Sequence, residues 1–90
     1  MRAIVLHAVC EPEDLRLADA PDPTPGRGEV VVRLRAAALN HRDLFICRGQ
    51  YAGLRYPVIP GSDGAGEVAS VGPDTTRVSP GDPVLINPSL

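Results

Sequence analysis

Two short clusters in this sequence carry side chains that can do chemistry. The first is Asn40-His41-Arg42-Asp43: an amide, an imidazole, a guanidinium and a carboxylate on consecutive positions. The second is Gly61-Ser62-Asp63, with Ser62 standing 22 residues after Asn40. An amide N–H can donate to an oxygen on which negative charge develops, and a carboxylate can orient its neighbours. The same residues have a plainer use. Asn is a strong helix N-cap, and Asp43 sits where it can complete a capping box, so both readings stand at this point. Two other constellations are weaker. His7, Cys10, His41 and Cys47 show neither C-x₂-C nor H-x₃-H spacing, so they read as packing and surface positions rather than tetrahedral zinc. Gly64-Ala65-Gly66-Glu67-Val68-Ala69 matches G-x-G-x-x-A, but Pro57 and Pro60 stand before it and Gly72-Pro73 closes the element that follows. A dinucleotide loop needs a strand before it and a helix after it, so the match is not read as one.

The elements that must hold these clusters can be traced in order. Arg2 to Ala8 is rich in Ile, Val and Leu and reads as a strand, and Val9 to Asp14 as a turn. Leu15 to Ala18 alternates apolar and polar, as a half-buried strand does. Pro21-Asp22-Pro23-Thr24-Pro25-Gly26 is an exposed connector, since three prolines fix φ and remove donors. Glu29 to Leu39 is the longest apolar stretch. Its alternation places Val30, Val32, Leu34 and Ala36 on one face of a strand and Val31, Arg33 and Arg35 on the other. Asn40 to Gly49 changes period and predicts one or two helical turns, capped by Asn40 and stopped by Gly49. Tyr51 to Ile59 is irregular. Pro60 to Gly66 reads as a tight, glycine-shaped turn that aims Ser62 and Asp63, and Glu67 to Val71 as the strand leaving it. Pro73 to Thr76 is a further turn and Pro83 to Asn87 a short strand. Short strands joined by turns, with little helix, indicate a mainly β fold, a small β-barrel with one short helix.

Composition narrows the function classes. Ninety residues make one domain at most. A net charge of −2 gives no reason to expect nucleic acid or an anionic membrane surface. No apolar run reaches the length of a membrane span. The apolar stretch Ala3 to Cys10 is broken by His7 and lacks a small-residue cleavage site, so no signal peptide is expected. Two cysteines, Cys10 and Cys47, make no disulfide framework, which favours a reducing cytoplasm; a single bridge between them stays open. The aromatics are Phe45, Tyr51 and Tyr56, so any aromatic pocket or small aromatic core must use that one stretch.

Taken in order, several of these pieces form a pattern. They are Gly28-Glu29-Val30 entering a long strand, Ala38-Leu39-Asn40-His41-Arg42-Asp43, Pro60-Gly61-Ser62-Asp63-Gly64-Ala65-Gly66-Glu67-Val68, Val71-Gly72 and Gly81-Asp82. In this the sequence resembles the N-terminal catalytic domain of the medium-chain dehydrogenase/reductase family. The resemblance implies a GroES-like irregular β-barrel over residues 1–90, an incomplete N-terminal domain whose nucleotide-binding Rossmann partner is absent from this chain. It further implies a homo-oligomer at full length and NADPH or NADH as cofactor, bound mainly by the other domain. Relatives often continue into a four-cysteine structural zinc lobe, a point on which these residues are silent. A stand-alone GroES-like interaction module is the alternative from another class, resting on Gly66 to Gly72 and Gly81 to Asn87.

The departures from the family pattern bear on the chemistry. Zinc-dependent alcohol dehydrogenases carry Cys at the position of Asn40, His at that of Ser62 and Glu at that of Asp63. An amide and a neutral hydroxyl are poor zinc ligands, so no catalytic zinc is expected, and the pattern looks more like the zinc-free quinone oxidoreductases. The family's proton-relay hydroxyl corresponds to Arg42, which cannot release a proton near neutrality and speaks against ordinary alcohol oxidation, the second alternative. A quinone or conjugated carbonyl delocalises the charge that hydride addition creates, so an amide donor can suffice, and Asn40 is the candidate. By the same resemblance His41 approaches the cofactor pyrophosphate, Asp43 orients the site, Tyr51 lies near the substrate, and Phe45, Ser62 and Asp63 border its pocket.

Overall fold

The computed structural model describes residues 1–89. Among them, the chain is mainly β with one short α-helix, and it divides into two compact units. One unit comprises Met1–Pro21 and Leu39–Gly61; the other comprises Asp22–Ala38 and the chain from Ser62 onward. The strands form two open sheets, of two and three strands.

In the first unit, β1 (Arg2–Ile4) pairs antiparallel with β2 (Leu17–Asp19), Ala3 opposite Ala18. The first strand is shorter than its composition suggests. Leu6 instead exchanges both backbone hydrogen bonds with Val58, at 2.8 and 2.9 Å, so the apolar run is shared between two partners. Pro12–Asp14 forms a single 3₁₀ turn. The helix α1 spans His41–Cys47, with Asn40 as its N-cap. Gly49 follows in the left-handed region at φ +73°, as a helix stop requires. This unit's core is small: Leu6, Ile46 and Cys47 are its buried apolar residues.

In the second unit, β3 (Val30–Ala38) pairs with β4 (Asp63–Val71), which pairs in turn with β5 (Pro83–Leu85), all antiparallel. Val68, 2% exposed, is the buried centre. The expected alternation along β3 does not run through. The register slips twice: between Val31 and Val32 the extra residue is Ala69 of β4, and between Leu34 and Ala36 it is Arg35 of β3, which breaks the alternation of the strand there. Around the second slip, Arg33 and Arg35 both reach the Glu67 carboxylate, at 3.9 and 2.6 Å.

The glycine segment also differs from the sequence reading. Only Gly61, at φ +115°, has turn-like backbone; Asp63 to Gly66 are already strand. Glycine serves there for closeness. A Cβ on Gly66 would lie 2.0 Å from the Arg33 carbonyl oxygen, inside the β3 backbone. Gly66→Ala therefore forces the two main chains apart. It should lower stability by about 1–3 kcal/mol or more, the range for overpacking, read as the midpoint of urea unfolding. A loss under about 0.5 kcal/mol, the size of an ordinary surface substitution, would mean that the strands do not approach this closely.

Candidate functional site

The first turn of α1 is built from the cluster that opened the sequence reading. Asp43 stands at the third helical position, and its Oδ2 accepts the Asn40 backbone N–H at 2.9 Å. In return the Asp43 N–H donates to the Asn40 carbonyl oxygen at 3.0 Å. The capping box is present in both halves: the Asn40 side chain faces the Asp43 backbone N–H, and the Asp43 carboxylate faces the Asn40 backbone N–H. That helix end is therefore fixed by Asn40 and Asp43 together.

Two ring contacts fix the side chains around it. His41 and Phe45, one helical turn apart, stack with centroids 4.6 Å apart at 57°. The Arg42 guanidinium carbon lies 4.7 Å over the centre of the Tyr51 ring, a cation–π contact across nine residues of chain. Two buried atoms of this turn have no hydrogen-bond partner among the described residues, Arg42 Nε and Asp43 Oδ1. Such groups are rare in folded proteins and call for a reason. Beside them opens a concave pocket of about 240 Å³ whose lining includes Arg42, Ile46, Tyr51, Leu54, Arg55 and Val58.

The structure thus gathers Asn40, His41, Asp43, Phe45 and Tyr51 in the first unit. Ser62 and Asp63 belong to the second, where both are half-buried and Asp63 opens β4 opposite Ala38. Among the described residues, no group of three His, Cys, Asp or Glu could hold a metal ion. Asn40, Ser62 and Asp63 together offer one anionic donor, a set that does not fit zinc. The G-x-G-x-x-A match lies within β4, without the strand-to-helix turn that would aim backbone N–H groups at a phosphate. No helix is long and apolar enough to cross a membrane, among the described residues.

Sequence reasoning missed two features. The Arg42–Tyr51 stack joins a helix to an irregular loop, and no local period announces it. The two cysteines are free yet adjacent, with Sγ atoms 3.3 Å apart; Cys10 N–H donates to the Cys47 carbonyl at 2.9 Å, and the Cys47 thiol to the Cys10 carbonyl at 3.1 Å. This pairing ties the C-terminal end of α1 to the segment after β1. Burial, and next the contact with Cys10, push the Cys47 thiol up to about 11.

With this geometry in view, comparison with known proteins is informative. Residues 26–89 match the family described as the alcohol dehydrogenase GroES-like domain. The chain is 39% identical over 85 residues to an acryloyl-coenzyme A reductase of Metallosphaera sedula, covering 94% of this chain and 25% of that protein. It superposes on an NAD-dependent alcohol dehydrogenase with a TM-score of 0.88 at 49% identity, over 97% of this chain and 26% of that one. It superposes on the Escherichia coli quinone oxidoreductase in complex with NADPH with a TM-score of 0.86 at 28% identity, over 94% and 26%. The chain spans about a quarter of the length of these proteins.

The Cys47 thiol yields a pH prediction. Its folded pKa lies above the unfolded value of 9.0, so folding favours the protonated form. That contribution is complete below pH 9 and lost as pH rises toward 11. Thermal melts across this window should fall more steeply for the unsubstituted chain than for Cys47→Ala; parallel falls would show that Cys47 ionises as freely folded as unfolded.

Proposed function

We infer that this chain, which belongs to the alcohol dehydrogenase GroES-like domain family, is the N-terminal catalytic-domain portion of a zinc-independent oxidoreductase. The reaction is hydride transfer from NADPH or NADH to a quinone or conjugated carbonyl. The observation that carries this reading is the donor set. Asn40 and Ser62 stand where zinc-dependent relatives place Cys and His, and neither an amide nor a neutral hydroxyl holds zinc well. Structures of the family with NADPH bound support the cofactor class.

When bound, the nicotinamide supplies the hydride; this chain's residues prepare the acceptor. The Asn40 amide donates to the oxygen on which charge develops, a role worth most where water is excluded. Asp43, through its hydrogen bond to the Asn40 main chain, fixes where that amide starts from. Tyr51 forms one wall of the pocket and, with Phe45 on the same unit, borders the acceptor. His41, exposed and braced by Phe45, would hold the cofactor phosphates. Leu39 and Leu85, 93% and 82% exposed, are the kind of apolar surface that the remainder of a larger protein covers. The same reading places the whole protein in the cytoplasm as a homo-oligomer. Alcohol oxidation has one observation in its favour, the likeness to an alcohol dehydrogenase; Arg42, unable to relay a proton, speaks against it.

Asn40→Asp tests the assignment in a protein that joins this chain to its nucleotide-binding domain. Aspartate caps a helix as well as asparagine does, so stability should stay near that of the parent. A carboxylate cannot donate and puts negative charge where negative charge develops, so kcat for quinone or enone reduction should fall by about 10²–10³-fold or more. Should the variant keep both stability and rate, Asn40 is a cap and no more.

A further inference from the structure

Charge is distributed unevenly among the arginines of this protein. Arg27, Arg33, Arg35 and Arg48 each have a carboxylate partner, in turn Asp74, Glu67, Glu67 and Glu11. Arg16 donates to the Glu13 and Leu15 carbonyls at 2.8 Å. Arg42 and Arg55, like Arg2 and Arg77, have no carboxylate within 4.0 Å among the described residues, and Arg42 and Arg55 both line the 240 Å³ pocket beside α1. No acidic side chain lines that pocket; the rest of its wall is Tyr51 and apolar groups, Ile46, Leu54, Val58 and Ile59 among them.

Arg42 is more than an unpaired surface cation. Its guanidinium is held against the Tyr51 ring, and its Nε is buried without a hydrogen-bond partner. A buried N–H left unmatched costs stability, so holding this guanidinium at the pocket wall is not free. Guanidinium groups match carboxylate and phosphate oxygens by shape as well as charge. Two of them in a concavity whose other side chains are Tyr51 and aliphatic groups describe a ligand with an uncharged body and one oxyanion group.

We propose that this pocket takes a carbonyl substrate bearing a carboxylate or phosphate group, held by Arg42 and Arg55 with its apolar body against Ile46, Leu54 and Val58. The assignment of the ligand as substrate rests on the oxidoreductase reading above; the charge selection does not. The role of Arg42 is then positioning and specificity, at the place where an alcohol-oxidising relative would keep a hydroxyl.

The test is an NMR titration of the 90-residue chain. The probes are 4-oxo-4-phenylbutanoate, its methyl ester and NADPH, at low ionic strength. The acid should bind about 10-fold or more tightly than the ester, as expected for one charge-assisted hydrogen bond, and should shift the amide signals of Arg42, Tyr51 and Arg55. Arg42→Gln and Arg55→Gln should each remove that preference. Because Arg55 is exposed, Arg55→Gln leaves the fold intact and carries the test even where Arg42→Gln loosens it. Equal binding of acid and ester, no binding of either, or a preference that survives Arg55→Gln overturns the proposal. NADPH displacing the acid from the same signals also overturns it, by making the oxyanion site one for cofactor phosphate. Since the titration involves no hydride transfer, a full-length protein that reduces neither acid nor ester would sink the reductase reading while leaving the charge selection measured here intact.

Discussion

The helix that carries the candidate site is too short to stand alone. Seven residues close very few internal hydrogen bonds, and helices of that length are unstable in water unless held from outside. Both ends of α1 are held. At the start, the Asp43 carboxylate accepts a hydrogen bond from the Asn40 backbone N–H. At the finish, Ile46 and Cys47 are buried, and Cys47 meets Cys10 through main chain and sulfur alike. Everything functional in this unit follows from that anchoring. Asn40 is held at one fixed point, His41 and Phe45 face the same side one turn apart, and Arg42 is delivered to the Tyr51 ring.

The other unit solves a different problem. Its two nine-residue strands pack main chain against main chain at Gly66, where no other residue leaves room. One extra residue on each strand, Ala69 on β4 and Arg35 on β3, lets the pair bend while it stays paired, and Arg33 and Arg35 both reach Glu67. Exposed ion pairs of this kind contribute about 1 kcal/mol at most, so the pairing of β3 with β4 rests on its backbone contact and on Val68 rather than on charge.

The legible part of this structure is the part with local causes. Asn40, Asp43 and Gly49 mark the start and stop of α1 because capping and left-handed termination are decided within a few residues. The long strand before it was readable from its β-branched run. The glycine stretch was misjudged for a physical reason: glycine serves both to turn a chain and to let two chains touch, and sequence alone does not separate the uses. At Gly66 the second use applies, as the Arg33 carbonyl shows. The Arg42–Tyr51 stack and the Cys10–Cys47 contact depend on distant segments folding back, which no spacing encodes. The capped helix turn could therefore be named in advance, while the placing of Arg42 and Arg55 beside Tyr51 could not.

The central claim is that this domain supports hydride transfer without a catalytic metal. Its most direct test is single-turnover kinetics of quinone reduction by NADPH, in the full-length protein, before and after exhaustive chelation of zinc under conditions that leave its circular dichroism unchanged. A rate preserved to within a factor of about two is predicted, far short of the tenfold change that about 1.4 kcal/mol of transition-state stabilisation would produce. A rate abolished by chelation and restored by one equivalent of zinc would contradict it.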